Sequence, residues 1–256
     1  MRAADELKNH GGRRHLDLMS GLNPEQIRLF RHNGFLKMPG RLSTETVERV
    51  RAAILQDMER EAEPVVRDAD GKVVRLSQVL DRDPLFLEVA SSDVVLHPLQ
   101  SLLGPNIEVV RNRHNHATLN LASRNSDYLH RDVRQWSRPL VTVIFYLEET
   151  TIENGCTVVI PGSHLLPGLP VLHGIEKQDW VKKSGIVDQG VPVPMPAGGM
   201  VVIDSLIFHR IGTNHTDGSR MSVTFGYRSV DELAGVEDPK ALLIRGERVY
   251  SGNDQY

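Results

Sequence analysis

Val141-Thr142-Val143-Ile144-Phe145-Tyr146 is a short run of β-branched and aromatic residues, the composition that suits a buried, pleated strand. Runs of the same texture lie on both sides of it. Ile107-Glu-Val-Val110 comes before; Thr157-Val-Val-Ile160, Gly199-Met-Val-Val-Ile203 and Met221-Ser-Val-Thr-Phe225 come after. Turn residues separate them: Asn154-Gly155, Pro161-Gly162, Pro196-Ala-Gly-Gly199 and Asp217-Gly218. Several short strands punctuated in this way predict a β-sandwich or barrel.

Upstream the texture is helical. Asn23 before Pro24 reads as an N-cap with proline at the first helical position, and Gly34 as the stop. Ser43 opens a second helix to about Glu61, with Val47, Val50, Ile54 and Met58 at helical spacing. Phe35–Met38 is a short strand closed by Pro39-Gly40, and residues 64–75 form a hairpin around Asp68-Ala-Asp70-Gly71. Residues 84–103 read as one further helix, stopped by Gly104-Pro105. Arg111, Arg113, His114 and His116 read as a charged strand, either a solvated or ion-paired face or a set that partly faces a pocket and holds a polar or anionic ligand. Residues 163–195 carry many prolines and glycines and little periodicity. A long irregular insertion of this kind is often a lid over a site, and Trp180 within it either covers substrate or packs. The expected organisation is a polar lead-in over 1–20 and one domain over 21–256, with a helical part (21–105), a strand core (106–230) and the 163–195 insertion.

The totals narrow the function. With 256 residues and 40% hydrophobic residues the chain can bury a sizeable core. A formal charge of -3 gives no general nucleic-acid or membrane surface. One cysteine, Cys156, rules out an internal disulfide framework and a cysteine zinc finger, and it reads as a buried small residue. The opening residues lack the apolar run of a signal peptide, so a soluble cytoplasmic protein is expected. Oligomeric state has no sequence signal.

The chemistry centres on Tyr128-Leu-His130-Arg-Asp132-Val-Arg-Gln-Trp136. In an extended segment residues i and i+2 point to the same side, so His130 and Asp132 can reach one ion together. His209, at the end of a later run, is a candidate third ligand. Two histidines and one carboxylate on one face of a metal leave positions open, the arrangement associated with non-haem Fe(II) oxygenases. Arg220 lies 11 residues beyond His209, where a strand, a turn and a return would bring it alongside. Its guanidinium can hold a carboxylate through two parallel hydrogen bonds. His215 is an alternative to His209 on spacing alone, and His164 more plausibly braces its Pro-Gly-Ser-His turn. His130-Arg-Asp132 also spells the start of a kinase catalytic loop, but Ser137 stands where that loop needs asparagine.

These motifs together resemble the phytanoyl-CoA dioxygenase-like Fe(II)/2-oxoglutarate oxygenases, a family that includes ectoine hydroxylases. Carrying the resemblance are His130-x-Asp132, Asn154-Gly155, Ile160-Pro161-Gly162-Ser163-His164, and His209-x-x-Gly212-x-Asn214 followed by Arg220. It spans roughly residues 20–230. The resemblance implies a mainly β double-stranded β-helix (jelly-roll, cupin-like) core with helices packed on one sheet. It implies Fe(II) held by His130, Asp132 and His209, and 2-oxoglutarate with its distal carboxylate on Arg220. It further implies Thr142, Asn115 and Trp136 beside 2-oxoglutarate. O2 would be the second co-substrate, succinate and CO2 products, and a small molecule the species oxidised; the chain size and compact lid suggest a role in secondary-metabolite biosynthesis. Hydroxylation is the default outcome, with desaturation, cyclisation or epoxidation open; Asp132 speaks against halogenation, which requires a small residue there. Two other classes stand beside this reading: a cupin-type metal-dependent hydrolase or isomerase, which has no need of Arg220, and a non-catalytic jelly-roll binding protein.

Overall fold

The computed structural model describes residues 21–112, 114–120, 128–133, 140–166, 173–230 and 239–247; Arg113 and Trp136 lie outside the described residues. Helix α1 (Pro24–Asn33) begins on a reciprocal cap. Asn23 Oδ1 accepts from the Gln26 N–H and Gln26 Oε1 accepts from the Asn23 N–H, both at 2.9 Å. The box satisfies two amides that the helix leaves open. Gly34 ends it in the left-handed region at φ 79°. Helix α2 (Thr44–Arg60) is capped by the Ser43 hydroxyl, which accepts from the Thr46 N–H at 3.1 Å.

The single helix expected over 84–103 is two, α3 (Pro84–Ala90) and α4 (Asp93–Leu103). The hydroxyls of Ser91 and Ser92 donate to the carbonyls of Leu87 and Val89 at 2.6 and 2.8 Å. They occupy acceptors of the last turn and stop α3 there. No helix among the described residues is long and apolar enough to cross a membrane.

The strands form two antiparallel sheets. The larger runs β1 (Phe35–Arg41), β9 (Gly199–Asp204), β6 (Leu140–Tyr146), β11 (Arg220–Ser229), β5 (His116–Asn120), β3 (Val73–Ser77), β2 (Val65–Arg67). β4 (Ile107–Val110) pairs with the second half of β11, and β12 (Ala241–Arg245) pairs with β4. The smaller sheet is β10 (His209–Ile211), β7 (Thr157–Val159), β8 (Val191–Val193). Three expectations are corrected here. β1 does not close at Pro39-Gly40 but continues to Arg41, because a register shift between Lys37 and Arg41 absorbs the proline that cannot donate to the ladder. The expected charged strand is not continuous: Arg111 and His114 lie between β4 and β5, with His114 at φ 47°, and His116 opens β5. The 163–195 region is not irregular where described: it holds helical turns at Ser163–Leu165, Ile175–Lys177 and Ile186–Gln189, helix α5 (Asp179–Ser184), and β8. Ile175 and Val181 pack with Leu129, Ile160 and Phe208, which anchors this region to the smaller sheet.

Period-two alternation decides what each face of the larger sheet does. On β11, Met221, Val223, Phe225 and Tyr227 join the apolar core under the helices. So do Val141, Val143 and Phe145 of β6, Ala117 and Leu119 of β5, and Met200 and Val202 of β9. Ile54 of α2 and Leu96 and Leu99 of α4 close that core from the helix side, with no surface exposed. Each such side chain contributes about 1.5–3 kcal/mol on burial. The alternate residues turn inward, toward the smaller sheet. Ile144, Tyr146, Val201 and Ile203 meet Val159 and Val193 in a second apolar cluster. On the same inward face, Thr118 of β5, Thr142 of β6 and Arg220, Ser222 and Thr224 of β11 line a cavity of ≈ 750 Å³.

Candidate metal centre and its cavity

His130 and Asp132 stand on a segment that extends the smaller sheet by one rung. The His130 N–H donates to the His209 carbonyl and the His209 N–H donates back to the His130 carbonyl, both at 3.0 Å. This pair of bonds sets the two histidines side by side, with ring centroids 4.2 Å apart. The Asp132 N–H then donates to the Ser205 carbonyl at 3.0 Å, which turns its carboxylate toward the same point. One donor atom from each of His130, Asp132 and His209 lies within 4.8 Å of the others.

The local hydrogen bonds prepare these three groups to act as ligands. His130 Nδ1 is 3.2 Å from the Tyr128 carbonyl and His209 Nδ1 is 3.1 Å from the Ile207 carbonyl. A carbonyl only accepts, so each Nδ1 carries a proton, which leaves Nε2 as the ligand atom of each ring. Burial, with the neighbouring His209 adding to it, pushes the His130 imidazole down to about 3, so it is neutral. Burial alone would raise the Asp132 carboxyl. The imidazoles of His114, His209 and His130 and the Thr142 hydroxyl outweigh burial and hold it at about 2. The result is a neutral His130 imidazole beside an ionised Asp132, protonation states that metal binding requires.

Thr142 and Ser205 form the layer behind Asp132. Thr142 Oγ1 donates to Asp132 Oδ2 at 2.6 Å and lies 3.2 Å from Ser205 Oγ. Asp132 Oδ1 is 3.4 Å from His209 Nε2 and 3.5 Å from His114 Nε2. Arg131, between the two candidate ligands in sequence, points the other way. It is buried, stacks 4.6 Å over the Phe208 ring, and donates to the carbonyls of Ser163 and Leu166. It fastens the metal-site segment to the turn at 160–166.

Arg220 is buried at the start of β11, opposite Asn120 of β5, with its guanidinium carbon 5.9 Å from the Tyr146 ring centroid. It lines the same cavity as the three candidate ligands. The turn between β10 and β11 brings it back. Within that turn Asn214 donates to the carbonyls of Gly218 and Asn120 and accepts from the N–H and hydroxyl of Thr216. Gly155 and Gly212 are glycines by close approach: a Cβ on Gly155, whose φ is 79°, would meet the Gly212 carbonyl oxygen at 2.3 Å. The Asn-Gly and Gly-x-Asn motifs are therefore structural. They press the start of β7 against the end of β10 and shape the return to Arg220.

The expected site residues do not all converge. His130, Asp132, His209, Arg220 and Thr142 line one cavity. Asn115 is elsewhere in its contacts: its side-chain Oδ1 accepts from the Leu80 N–H at 2.8 Å and its side-chain Nδ2 donates to the Arg111 carbonyl at 3.0 Å. It braces the turn after β4 and does not line the cavity; Asn112 does. Trp136 lies outside the described residues. His215 is exposed and stands apart from the triad, whereas His164 Nε2 is 3.0 Å from the Arg31 carbonyl and ties its turn to α1. Cys156 is buried, as expected. Trp180 is partly exposed and is not among the described cavity residues.

Two cavity residues, Arg75 and His173, and Ser205 behind Asp132 carried no sequence signal of their own. Arg75 read only as part of a hairpin. Ser205 lies in the loop after β9. His173 stacks on His130 at 5.3 Å, paired to it through an isolated backbone bridge. The charged composition of 111–116 pointed toward His114 and His116, which do line the cavity, but from a turn and the first residue of β5.

Comparison with known proteins follows the same lines. The family model described as Phytanoyl-CoA dioxygenase (PhyH) matches residues 30–222. Peroxisomal phytanoyl-CoA dioxygenase of Rattus norvegicus is 26% identical over 237 residues, covering 82% of this chain and 69% of that protein. Dioxygenase af480 of Aspergillus fumigatus is 25% identical over 249 residues, covering 89% and 73%. Among solved structures, the epimerase SnoN in complex with Fe3+, alpha ketoglutarate and nogalamycin RO superposes with a TM-score of 0.71 at 18% identity, covering 86% of this chain and 98% of that one. EctD from S. alaskensis, with 2-oxoglutarate and 5-hydroxyectoine, superposes at 0.68 with 16% identity, covering 82% and 77%. The shared fold is the jelly-roll core that the strand pattern and the motif set anticipate.

Proposed function

The chain belongs to the phytanoyl-CoA dioxygenase family, a family of non-haem Fe(II)/2-oxoglutarate-dependent oxygenases, and from that premise we propose how its own residues divide the work. His130, Asp132 and His209 hold the iron. Arg220 holds the distal carboxylate of 2-oxoglutarate. The substrate is a small polar molecule, and the outcome is hydroxylation. The observation that carries this reading is the convergence of three candidate ligand atoms within 4.8 Å, in a cavity whose wall also buries Arg220.

Bound iron supplies the activation of O2 that couples oxidation of 2-oxoglutarate to succinate and CO2 with oxidation of the substrate. The chain does the rest. The carbonyls of Tyr128 and Ile207 fix the histidine tautomers. Thr142 spends its hydroxyl on Asp132, so its role is to orient the carboxylate rather than to touch 2-oxoglutarate. Arg220 is buried, so its pairing with a carboxylate forms away from water, where such charge-assisted bonds are strong. Asp132 keeps the third protein position filled by an acid, which favours hydroxylation over halogenation.

The peroxisomal relatives are named for phytanoyl-CoA, and SnoN was solved with nogalamycin RO. In this chain Ile144 and Ile211 are the only aliphatic side chains among the described residues that line the cavity. Such a wall suits a hydrogen-bonding substrate better than a long alkyl chain, because buried polar groups left without partners cost free energy. Purified protein given Fe(II), O2 and 2-oxoglutarate is expected to release succinate, and His130→Ala to abolish that release. Full turnover by His130→Ala would overturn the assignment.

A further inference from the structure

His130 and His209 are each held at Nδ1 by a backbone carbonyl. A further cavity histidine is not. His116 lines the cavity from the first position of β5, and its Nδ1 is covered with no hydrogen-bond partner. The residue as a whole is half-buried, so Nε2 is the nitrogen left to the cavity side. Burial, and next the positive charge of Arg75, keep the imidazole well below its usual range, so it is neutral. With nothing bound at Nδ1 the tautomer is set by whatever meets Nε2, which can donate or accept. Thr118 and Thr224 are buried in the same wall, and neither hydroxyl takes a hydrogen bond among the described residues. Buried polar groups are nearly always paired, so two open hydroxyls on a cavity wall are available to a ligand.

The sheet register groups these side chains. His116 stands opposite Thr224 of β11, and Thr224 opposite Ile144 of β6, so one row across three strands carries an imidazole, a hydroxyl and an aliphatic side chain. All three line the cavity. Thr118 lies two residues along β5, on the same face. Side chains directly opposite start about 5 Å apart, those two along a strand roughly 7 Å, and diagonal neighbours about 8 Å. The three polar groups therefore make a triangle that a single small ring can span. The patch starts one side chain from the metal centre: His114 Nε2 is 3.5 Å from Asp132 Oδ1, and the His114 and His116 ring centroids are 6.1 Å apart. Arg220 lies four residues from Thr224 on β11, roughly 14 Å along the strand, so the patch is separate from the distal carboxylate of 2-oxoglutarate. Each group of the triangle both donates and accepts. A carboxylate or phosphate only accepts and an ammonium only donates, whereas a hydroxyl does both. Ile144 meets the C–H surface of such a ring.

We infer that His116, Thr118 and Thr224, with Ile144 beside them, form a subsite for an uncharged, polyhydroxylated ring of the substrate, a sugar or cyclitol unit. The ring sits between this patch and the open side of the metal. This rests on the proposed placement of iron and 2-oxoglutarate and deepens it by naming the substrate class.

The test uses Mn(II) in place of Fe(II) on the whole chain, with saturating 2-oxoglutarate. Calorimetry first gives the 2-oxoglutarate affinity. Paramagnetic relaxation of 19F by the bound Mn(II) then reports three probes: 2-deoxy-2-fluoro-D-glucose, fluoroacetate and 2-fluoroethylamine. The expected result is saturable relaxation of the fluorinated sugar, stronger than that of either charged probe. His116→Phe keeps a ring without nitrogen and should weaken sugar binding by about fivefold or more, as loss of a hydrogen bond that leaves a hydroxyl unpaired does. Thr224→Val, which keeps the shape from the opposite strand, should act in the same direction and carries the test if His116→Phe does not fold. His116→Gln, which can still donate and accept, should retain most of the binding. The 2-oxoglutarate affinity should stay within about twofold in all three variants. Sugar binding unchanged in folded His116→Phe and Thr224→Val overturns the subsite, as does a fall in 2-oxoglutarate affinity in the folded variants, which would put the patch on the co-substrate. Wild-type protein that binds 2-oxoglutarate but relaxes the sugar no faster than the charged probes overturns the inference alone. Wild-type protein that binds no 2-oxoglutarate overturns the placement beneath it.

Discussion

The two faces of β11 are made from one continuous run of ten residues, and they do opposite jobs. Met221, Val223, Phe225 and Tyr227 face the helices and join the main core. Arg220, Ser222 and Thr224 face the cavity. Neighbours in sequence are thus assigned to stability and to chemistry by the pleat alone. The same division runs through β5 and β6. A polar cavity can exist inside this fold because the apolar free energy is collected on the other side of the same strands. The cavity face can change its chemistry without dismantling the core.

That contrast is most sharply broken or upheld by adjacent substitutions. Phe225 is fully buried and sits edge-on to Phe145 with centroids 5.5 Å apart. Phe225→Ala should cost about 3–5 kcal/mol in denaturant unfolding. Thr224→Ala, one residue away on the cavity face, should cost less than about 1 kcal/mol, within the range of a lost hydroxyl contact. Equal losses would mean that the faces do not divide the work.

Within the cavity face, Arg220→Met should weaken 2-oxoglutarate by about 2–3 kcal/mol, roughly thirtyfold to more than a hundredfold, and leave metal affinity nearly unchanged. A smaller effect is expected one layer behind the metal. Thr142→Val keeps the shape but removes the bond to Asp132 Oδ2, and should lower metal affinity by about tenfold with little change in 2-oxoglutarate affinity at saturating metal. The reverse pattern, a 2-oxoglutarate defect with normal metal binding, would restore Thr142 to direct contact with the co-substrate.

The smallest expected effect is on acid stability of the metal-free protein. His116 is held neutral by burial and by Arg75, so its folded value is depressed below the roughly 6.5 of an unfolded histidine. Below that value the unfolded chain binds a proton that the fold refuses. Stability contributed by the neutral imidazole is therefore present above about pH 6.5 and lost as pH falls below it, by at most about 1.4 kcal/mol per pH unit from this residue. His116→Gln should flatten the decline in thermal midpoint between pH 7 and pH 5; an unchanged slope would show that His116 takes a proton as easily in the fold as out of it.

What was legible in the sequence follows from which signals are local. Strands β6, β9 and β11 were legible because β-branched residues recur in short runs between turns. The starts of α1 and α2 were legible because Asn23 and Ser43 cap by contacts within four residues. The grouping of His130, Asp132, His209 and Arg220 around one cavity was legible as an ordered set of motifs, although His209 reaches His130 through a backbone bridge that spacing does not reveal. The break between α3 and α4 was missed because two serine hydroxyls outcompete an apolar periodicity that continues past them. β1 ran on past Pro39-Gly40 because a register shift tolerated the proline. Asn115 was expected beside 2-oxoglutarate, but the turn after β4 claims its amide. Arg75 and His173 became cavity residues only through pairing with distant strands and segments, which no window of sequence contains.

The central claim is that His130, Asp132 and His209 act as one metal face to which 2-oxoglutarate is added. An anaerobic Fe(II) titration, with and without 2-oxoglutarate, in wild type and Asp132→Ala, tests it most directly. The account predicts one tightly bound iron per wild-type chain, 2-oxoglutarate binding that requires that iron, and loss of both in a folded Asp132→Ala protein. Equal iron and 2-oxoglutarate binding by the two proteins would contradict it.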